Sequence, residues 1–463
     1  MRGIARTRRI RRGGGHDSPA AANPIPGLVR EALIIAAVLA LGIFLVYHFT
    51  VHSVKNTRPL GGVNVDVSRA PGYQSEAALA VDPRNPRALL AASNDSLIPP
   101  LRVETSTNGG RTWVRGEGPP IPGGSCAHGE PRAAIDGTGR QYLAFLVGRI
   151  CKDTVTPYLV VASRAGTKSP WTLARVTTPA WKYGFDDGPA IATDPRSGAV
   201  YVAFTRSLSV NHATTEWSVS RDHGLTWSEP KPVSRTLERP HLASLAVAPN
   251  GDVYLAGIDA THGVWIARST DGGKSFGAPT SVSPLLANPA GGCGLSAYSP
   301  LPLEDHACIG PNPTVLVRNG RVDVVYGDIS DVFVDELTPA LKPRFHAQVN
   351  PADGGKTTQF FPVAAADASN GTLTACWWDT TFDRRGHRAW FTCSSSRDGR
   401  TWSSPVRASA DPIAPGDLYN AATTYGLYPA LVAAGGTAHP LWPDLRVNAN
   451  LLDLFTAAIP DAR

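Results

Sequence analysis

Apolar residues in this chain arrive in paired runs of β-strand period. Residues 78–93, 133–146, 190–204, 245–258, 314–326, 363–377 and 430–442 each read as an apolar run, a turn and a second apolar run. The turns carry chain-breaking residues, as in Asp82-Pro83-Arg84-Asn85-Pro86, Asp194-Pro195-Arg196-Ser197-Gly198 and Pro249-Asn250-Gly251. This pattern predicts seven β-hairpins. Where the period is unbroken they recur every 50–57 residues or so, as in repeat folds whose units bury their faces against one another. No helical period follows residue 55.

A second repeat runs out of step with the first, roughly 25 residues after each inner hairpin. Its fullest copy is Ser220-Arg221-Asp222-His223-Gly224-Leu225-Thr226-Trp227. Physically this is a hairpin turn. Asp222 accepts hydrogen bonds from the turn's N–H groups, Gly224 supplies the φ > 0 conformation, and Trp227 wedges between sheets. Further copies are Ser106-Thr107-Asn108-Gly109-Gly110-Arg111-Thr112-Trp113, Ser269-Thr270-Asp271-Gly272-Gly273-Lys274-Ser275-Phe276 and the shorter Ser396-Arg397-Asp398-Gly399-Arg400-Thr401-Trp402. Pro351 to Thr357 is a degraded copy and Ser163 to Trp171 a more distant one.

The pattern S-x-D-x-G-x-T-W resembles the Asp-box, or BNR repeat, of the sialidase-like β-propellers, over most of residues 70–459. The resemblance and the period together predict an all-β chain: a β-propeller of seven four-stranded blades, where family sialidases have six. The seventh hairpin has only Leu451 to Ile459 left for its outer strands, while residues 63–68 form a strand without a unit. Pairing the two closes the ring and removes both exposed edges. Two segments break the period: residues 284–312, and residues 327–345, which read as an enlargement of the fifth blade.

Composition changes this picture mainly at the N-terminus. The chain has 463 residues and a formal charge of +6. Seven arginines and one aspartate lie in residues 1–30, leaving 37 basic and 37 acidic residues elsewhere, so a nucleic-acid partner loses its support. Ala32 to Val51 is apolar and long enough to span a bilayer, with the arginines on its cytoplasmic side. The competing reading is a cleaved signal peptide, whose apolar core is shorter and ends in a small-x-small site not seen after Tyr47. The expected domains are a basic cytoplasmic tail (1–30), a transmembrane anchor (31–51), a linker (52–62) and an extracytoplasmic propeller (63–459), a single-pass membrane protein.

All six cysteines follow the anchor and read as three neighbouring pairs: Cys126 with Cys151, Cys293 with Cys308 and Cys376 with Cys393. An even count in an exported domain favours disulfides. The third pair is equidistant from a turn at Arg384-Arg385. Zinc is the rival, but no C-x-x-C or paired-His spacing supports it, so neither metal nor cofactor is expected.

Alternating strand direction sorts the loops onto two faces. The Asp-box and inner-hairpin turns share one. The other, onto which both irregular segments open, collects Glu76, Asp95, His128, Glu130, Arg132, Asp186, Asp187, Arg206, Glu238, Arg239, His241, Asp259, His306, Asp328, Asp379, Arg388, Tyr428, Asp444 and Arg446. Polar strand ends are mostly solvated or bonded to nearby loops. A site, where one exists, belongs on this insertion face. The sialidase resemblance implies three arginines on a carboxylate, a Tyr–Glu nucleophile pair and an Asp acid. Here Tyr428 with Glu130 or Glu238 fits the nucleophile pair. Arg132, Arg239, Arg388 and Arg446 are the candidate carboxylate clamp, and Asp259, Asp328, Asp379 and Asp444 are further substrate-binding candidates. The family's F-R-I-P motif is absent: Gly72-Tyr73-Gln74-Ser75-Glu76 stands there without an arginine, so the four arginines are expected to scatter around the rim. The expected function is recognition of a glycan or a cell-envelope protein on this face. The alternatives are an exo-acting glycoside hydrolase and a protein-binding scaffold.

Overall fold

The computed structural model describes residues 59–97, 101–122, 126–148, 157–178, 184–209, 212–237, 240–284, 299–301, 304–309, 311–328, 330–383, 388–413, 429–448 and 451–461. The expected membrane anchor, the Cys151 and Cys293 halves of two cysteine pairs, Glu238, Arg239 and Tyr428 lie outside the described residues. Among the described residues no helix is long and apolar enough to cross a membrane.

The strands form seven antiparallel blades. Blade one is Gln74–Asp82, Asn85–Asp95, Arg102–Ser106 and Val114–Arg115, each strand paired with the next. The same order repeats in blades beginning at Cys126, Asp186, His241, Thr314 and Gln359. Blade seven has Ala430–Ala434, Thr437–Asn448 and Leu451–Thr456, and takes Val65–Asp66 as its outer strand. The register is Val65 opposite Thr456 and Asp66 opposite Phe455, so the ring closes with the N-terminal strand as the sequence predicts. The first strand of each blade packs on the first strand of the next, and blade seven's on blade one's.

Stacking blades this way buries both faces of every sheet, which explains why their sequences are not simply alternating. Trp377 and Trp378 are neighbours on one strand and point to opposite faces, yet both are fully buried. Trp377 joins Val325 and Val334 between blades five and six. Trp378 joins Phe391 and Trp442 between blades six and seven. Comparable apolar clusters fill the other inter-blade gaps.

The Asp-box turns form through side chain to backbone bonds. Ser220 Oγ donates to Asp222 Oδ1 at 2.8 Å and accepts the Gly224 N–H at 2.8 Å, while Asp222 Oδ1 accepts the Thr226 N–H at 2.9 Å. Trp113 and Trp402 donate their indole N–H to the Gly110 and Gly399 carbonyls at 3.0 and 3.1 Å.

One copy lies elsewhere than expected. Residues 327–345 are not an enlargement: Val332–Leu337 and Pro343–Gln348 are the third and fourth strands of blade five, joined by a turn at 338–342. The degraded copy at 351–357 therefore follows the fourth strand and sits on the insertion face, where Asp353 still accepts the Lys356 N–H at 3.1 Å. The Asp-x-Gly turn is a local bonding pattern and does not encode which connection of a blade it makes. Residues 284–312 do stand between blades, and carry a small separate hairpin of Ser299–Leu301 and Glu304–Ile309.

The N-terminal segment does more than supply one strand. Leu60 bridges Arg407 in parallel on the outer edge of blade six, with Gly61 N–H to Arg407 O at 2.8 Å and Arg407 N–H to Pro59 O at 2.9 Å. Asn64 donates to Ala408 O at 2.6 Å and accepts the Ala410 N–H at 2.7 Å. Ser68 O accepts Arg102 Nη2 of blade one at 2.6 Å. Residues 59–68 thus strap blades six, seven and one together. The fit is close: a Cβ on Gly62 would stand 2.4 Å from Ala458 O.

Cys376 and Cys393 face each other in register on adjacent strands of blade six and are joined, with Cα atoms 4.0 Å apart. Both are buried. Peptide mapping of exported material without reductant is expected to recover them bonded. The double variant Cys376→Ala/Cys393→Ala is expected to lose about 2–3 kcal/mol on unfolding, mainly by freeing the loop in the unfolded chain; unchanged stability would show the ladder alone holds that pair.

Candidate functional site

The ends of the first strands on the insertion face share an irregularity. Pairing between first and second strands breaks between Ser75 and Ala78, Gly129 and Arg132, Asp187 and Ala190, Leu242 and Ser244, and Phe360 and Val363. A bulge at the same height in five blades re-aims one residue of each. Glu76, Glu130 and Phe361 take φ of 55°, 54° and 48° there, and Gly188 takes 55°. Left-handed backbone in non-glycine residues costs energy and persists only where the surroundings enforce it.

Here those surroundings are polar and run from blade to blade. Glu76 Oε2 accepts Asn94 Nδ2 at 2.7 Å and the Glu130 N–H at 3.0 Å. The Glu130 N–H also reaches Asn94 Oδ1 at 3.0 Å. Glu130 Oε2 in turn accepts the Gly188 N–H at 2.8 Å. The Glu130 carboxyl is hydrogen-bonded to Asp187, and His241 Nε2 stands 3.6 Å from Asp187 Oδ2. Arg132 donates Nη1 to Pro131 O at 2.8 Å, and its charge acts on Glu76. Four consecutive blades therefore bring Glu76, Glu130, Asp187 and His241 together, with Asn94 and Arg132 beside them. Asp187 keeps 34% of its side-chain surface accessible and His241 15%.

The protonation states diverge. Burial, then the charges of Asp187 and Glu76, push the Glu130 carboxyl well above its usual range. Burial also raises Glu76, partly offset by Asn94 and Arg132. Asp187 is only partly buried; its desolvation also acts upward, but the His241 hydrogen bond and charge outweigh that and hold it down to about 2. The two carboxyl groups therefore titrate as one coupled pair, close enough to share a proton. Asp187, still partly open to solvent, is left as an acceptor for a sugar hydroxyl. Two carboxyl groups in direct contact are nearer than the 5 Å or so that separates a glycosidase nucleophile from its acid.

Of the residues singled out from sequence, Glu130 and Arg132 belong to this cluster. Arg446 is engaged in blade seven: it donates to Asn64 Oδ1 at 2.7 Å, pairs with Asp444 and lies 4.4 Å over the Phe455 ring. The Arg388 side chain is exposed. Asp259 and Asp379 end second strands and Asp444 lies within that of blade seven; they accept His262 N–H at 2.7 Å, Thr381 N–H at 2.9 Å and Arg446 N–H at 2.9 Å. Asp328 donates its own N–H to Asp331 O at 2.8 Å in the matching loop of blade five. Glu76, Asp187 and His241 were visible only as members of the polar rim. A signal was available: the left-handed residue of the bulge precedes proline in Glu130-Pro131, Gly188-Pro189 and Phe361-Pro362, where the bulge spares the ladder a missing N–H.

No protein-family model matches the chain, and no curated protein matches it. Solved structures do resemble it. A protein of unknown function from Dyadobacter fermentans is 18% identical, with 68% of this chain and 93% of that one covered and a TM-score of 0.45. A Hadza microbial sialidase is 15% identical, with coverage of 80% and 76% and a TM-score of 0.45. An α-L-arabinanase of Penicillium chrysogenum is 12% identical, with coverage of 87% and 99% and a TM-score of 0.49. From its own strand pairing, the chain is a β-propeller of seven blades.

Proposed function

We propose that this protein is a membrane-anchored, extracytoplasmic propeller that recognises glycan on its insertion face, at the cluster of Glu76, Glu130, Asp187 and His241. The observation that carries the reading is the convergence of the Glu130 and Asp187 carboxyl groups from separate blades, with His241 3.6 Å from Asp187 and Asp187 still open to solvent. Carboxylate oxygens accept from sugar hydroxyl groups, and a few convergent polar groups fix a ligand's orientation. Anchoring rests on residues 31–51 and the arginines before them. Intact cells displaying the full chain are expected to capture fluorescent oligosaccharides added outside. Glu130→Gln or Asp187→Asn should weaken capture about tenfold, the worth of one good hydrogen bond. Absence of capture by the wild type, or variants that capture equally well, would count against the reading.

A hydrolytic role is favoured by one feature, the opposite displacement of two adjacent carboxyl groups, as in acid and base pairs of enzymes. Their direct contact argues for binding instead. Incubation with aryl glycosides, a sialoside included, separates the two: the binding reading predicts no released phenol.

A further inference from the structure

The charge of the cluster selects among sugars. The Glu130 carboxyl bonds that of Asp187, and the Glu76 carboxyl lies in the same cluster, bonded to Asn94 and to the Glu130 N–H. The cations present are already engaged by those acids: Arg132 acts on Glu76, and His241 faces Asp187. Of the other arginines named on this face, Arg206 and Arg446 sit on carboxylates of their own and Arg388 is exposed. Arg206 Nε is 2.9 Å from Asp186 and its Nη1 is 3.2 Å from Glu216, and Arg446 is held by Asp444 and Asn64. We infer that the cluster takes the hydroxyl groups of an uncharged glycosyl unit and rejects sialic acid and other carboxylated sugars.

This deepens the glycan reading above and rests on it. A ligand carboxylate about 5 Å from a carboxylate of the cluster would be repelled, at an effective dielectric of roughly 20, by an amount on the order of a hundredfold in affinity, of which His241 beside Asp187 offsets part. Hydroxyl groups meet no such penalty. They donate to Asp187, whose charge His241 stabilises.

The test uses the detergent-solubilised full chain on a glycan microarray carrying the same neutral cores with and without terminal sialic acid. Neutral cores should bind, and their sialylated forms should bind at least about tenfold more weakly. Stronger binding of sialylated forms overturns this inference and leaves the glycan reading standing. Binding of no glycan overturns the glycan reading itself, and this inference with it. Asp187→Asn, checked by thermal melting for an intact fold, should raise the ratio of sialylated to neutral binding about tenfold, because it removes the repelling charge. An unchanged ratio in the folded variant overturns the assignment to this cluster.

Discussion

A chain that begins at Arg69, and so lacks the strap, is expected to melt on the order of 10 °C below one that begins at Asn56 and to aggregate on heating. The comparison is informative because both lack the basic tail and the anchor. They differ in the segment that holds Val65–Asp66 against blade seven and Leu60 against the edge of blade six. The lost contacts are dispersed. They include the Val67 N–H to Leu454 O bond at 2.8 Å, both Asn64 bonds to blade six and the Ser68 to Arg102 bond to blade one. Val67 is also buried, within the apolar cluster between blades seven and one. Removal leaves the Leu451–Thr456 strand as an open edge, a template for another chain. Scanning calorimetry with light scattering reads both effects. Equal midpoints for the two chains would mean that inter-blade packing alone holds the ring.

That closure was legible in the sequence because it follows from counting. Seven inner hairpins and an orphan alternating strand at residues 63–68 leave one arrangement without an open edge. The Asp-box turns were legible for a different reason: the bonds of Ser220, Asp222, Gly224 and Thr226 all close within seven residues, so composition and spacing suffice. The Cys376–Cys393 pairing is of the same kind, set by distance from one turn.

What escaped was set between blades. Glu76, Glu130 and Asp187 lie more than fifty residues apart in sequence from one to the next, and meet because bulges at one height turn each first strand inward. Glu76 is not followed by the proline that marks the other left-handed positions, so nothing local distinguished it from any acidic strand end. The outer strands of blade five were missed because Asp353 makes an Asp-box bond in the wrong connection. Local chemistry was readable, whereas its position in the ring depended on the register of strands that no single stretch specifies.

The same dependence on neighbouring blades makes His439 a determinant of acid stability. It sits on the second strand of blade seven, 2% exposed, beneath the Asp-box turn of blade one: a Cβ on Gly110 would lie 3.6 Å from its Nδ1. That nitrogen has no hydrogen-bond partner among the described residues. Burial lowers the imidazole to about 4 in the fold, against 6.5 for the free side chain. The neutral form is the one the fold accepts, so its contribution is fully present above pH 6.5 and is lost as pH falls toward 4. The loss by pH 4 is about 3 kcal/mol. Buried carboxyl groups act in the opposite sense. Burial raises Glu104 to about 7, and Asp323 and Asp453 to about 6, and each disfavours the fold as pH rises through those values. The wild-type profile therefore mixes both trends, and the informative quantity is a difference. Unfolding by urea between pH 4 and pH 7.5 should show His439→Leu gaining on the wild type by about 3 kcal/mol as pH falls, whatever offset separates them at neutral pH. Profiles that stay parallel over this range would mean that His439 takes its proton in the folded protein as readily as in the unfolded chain.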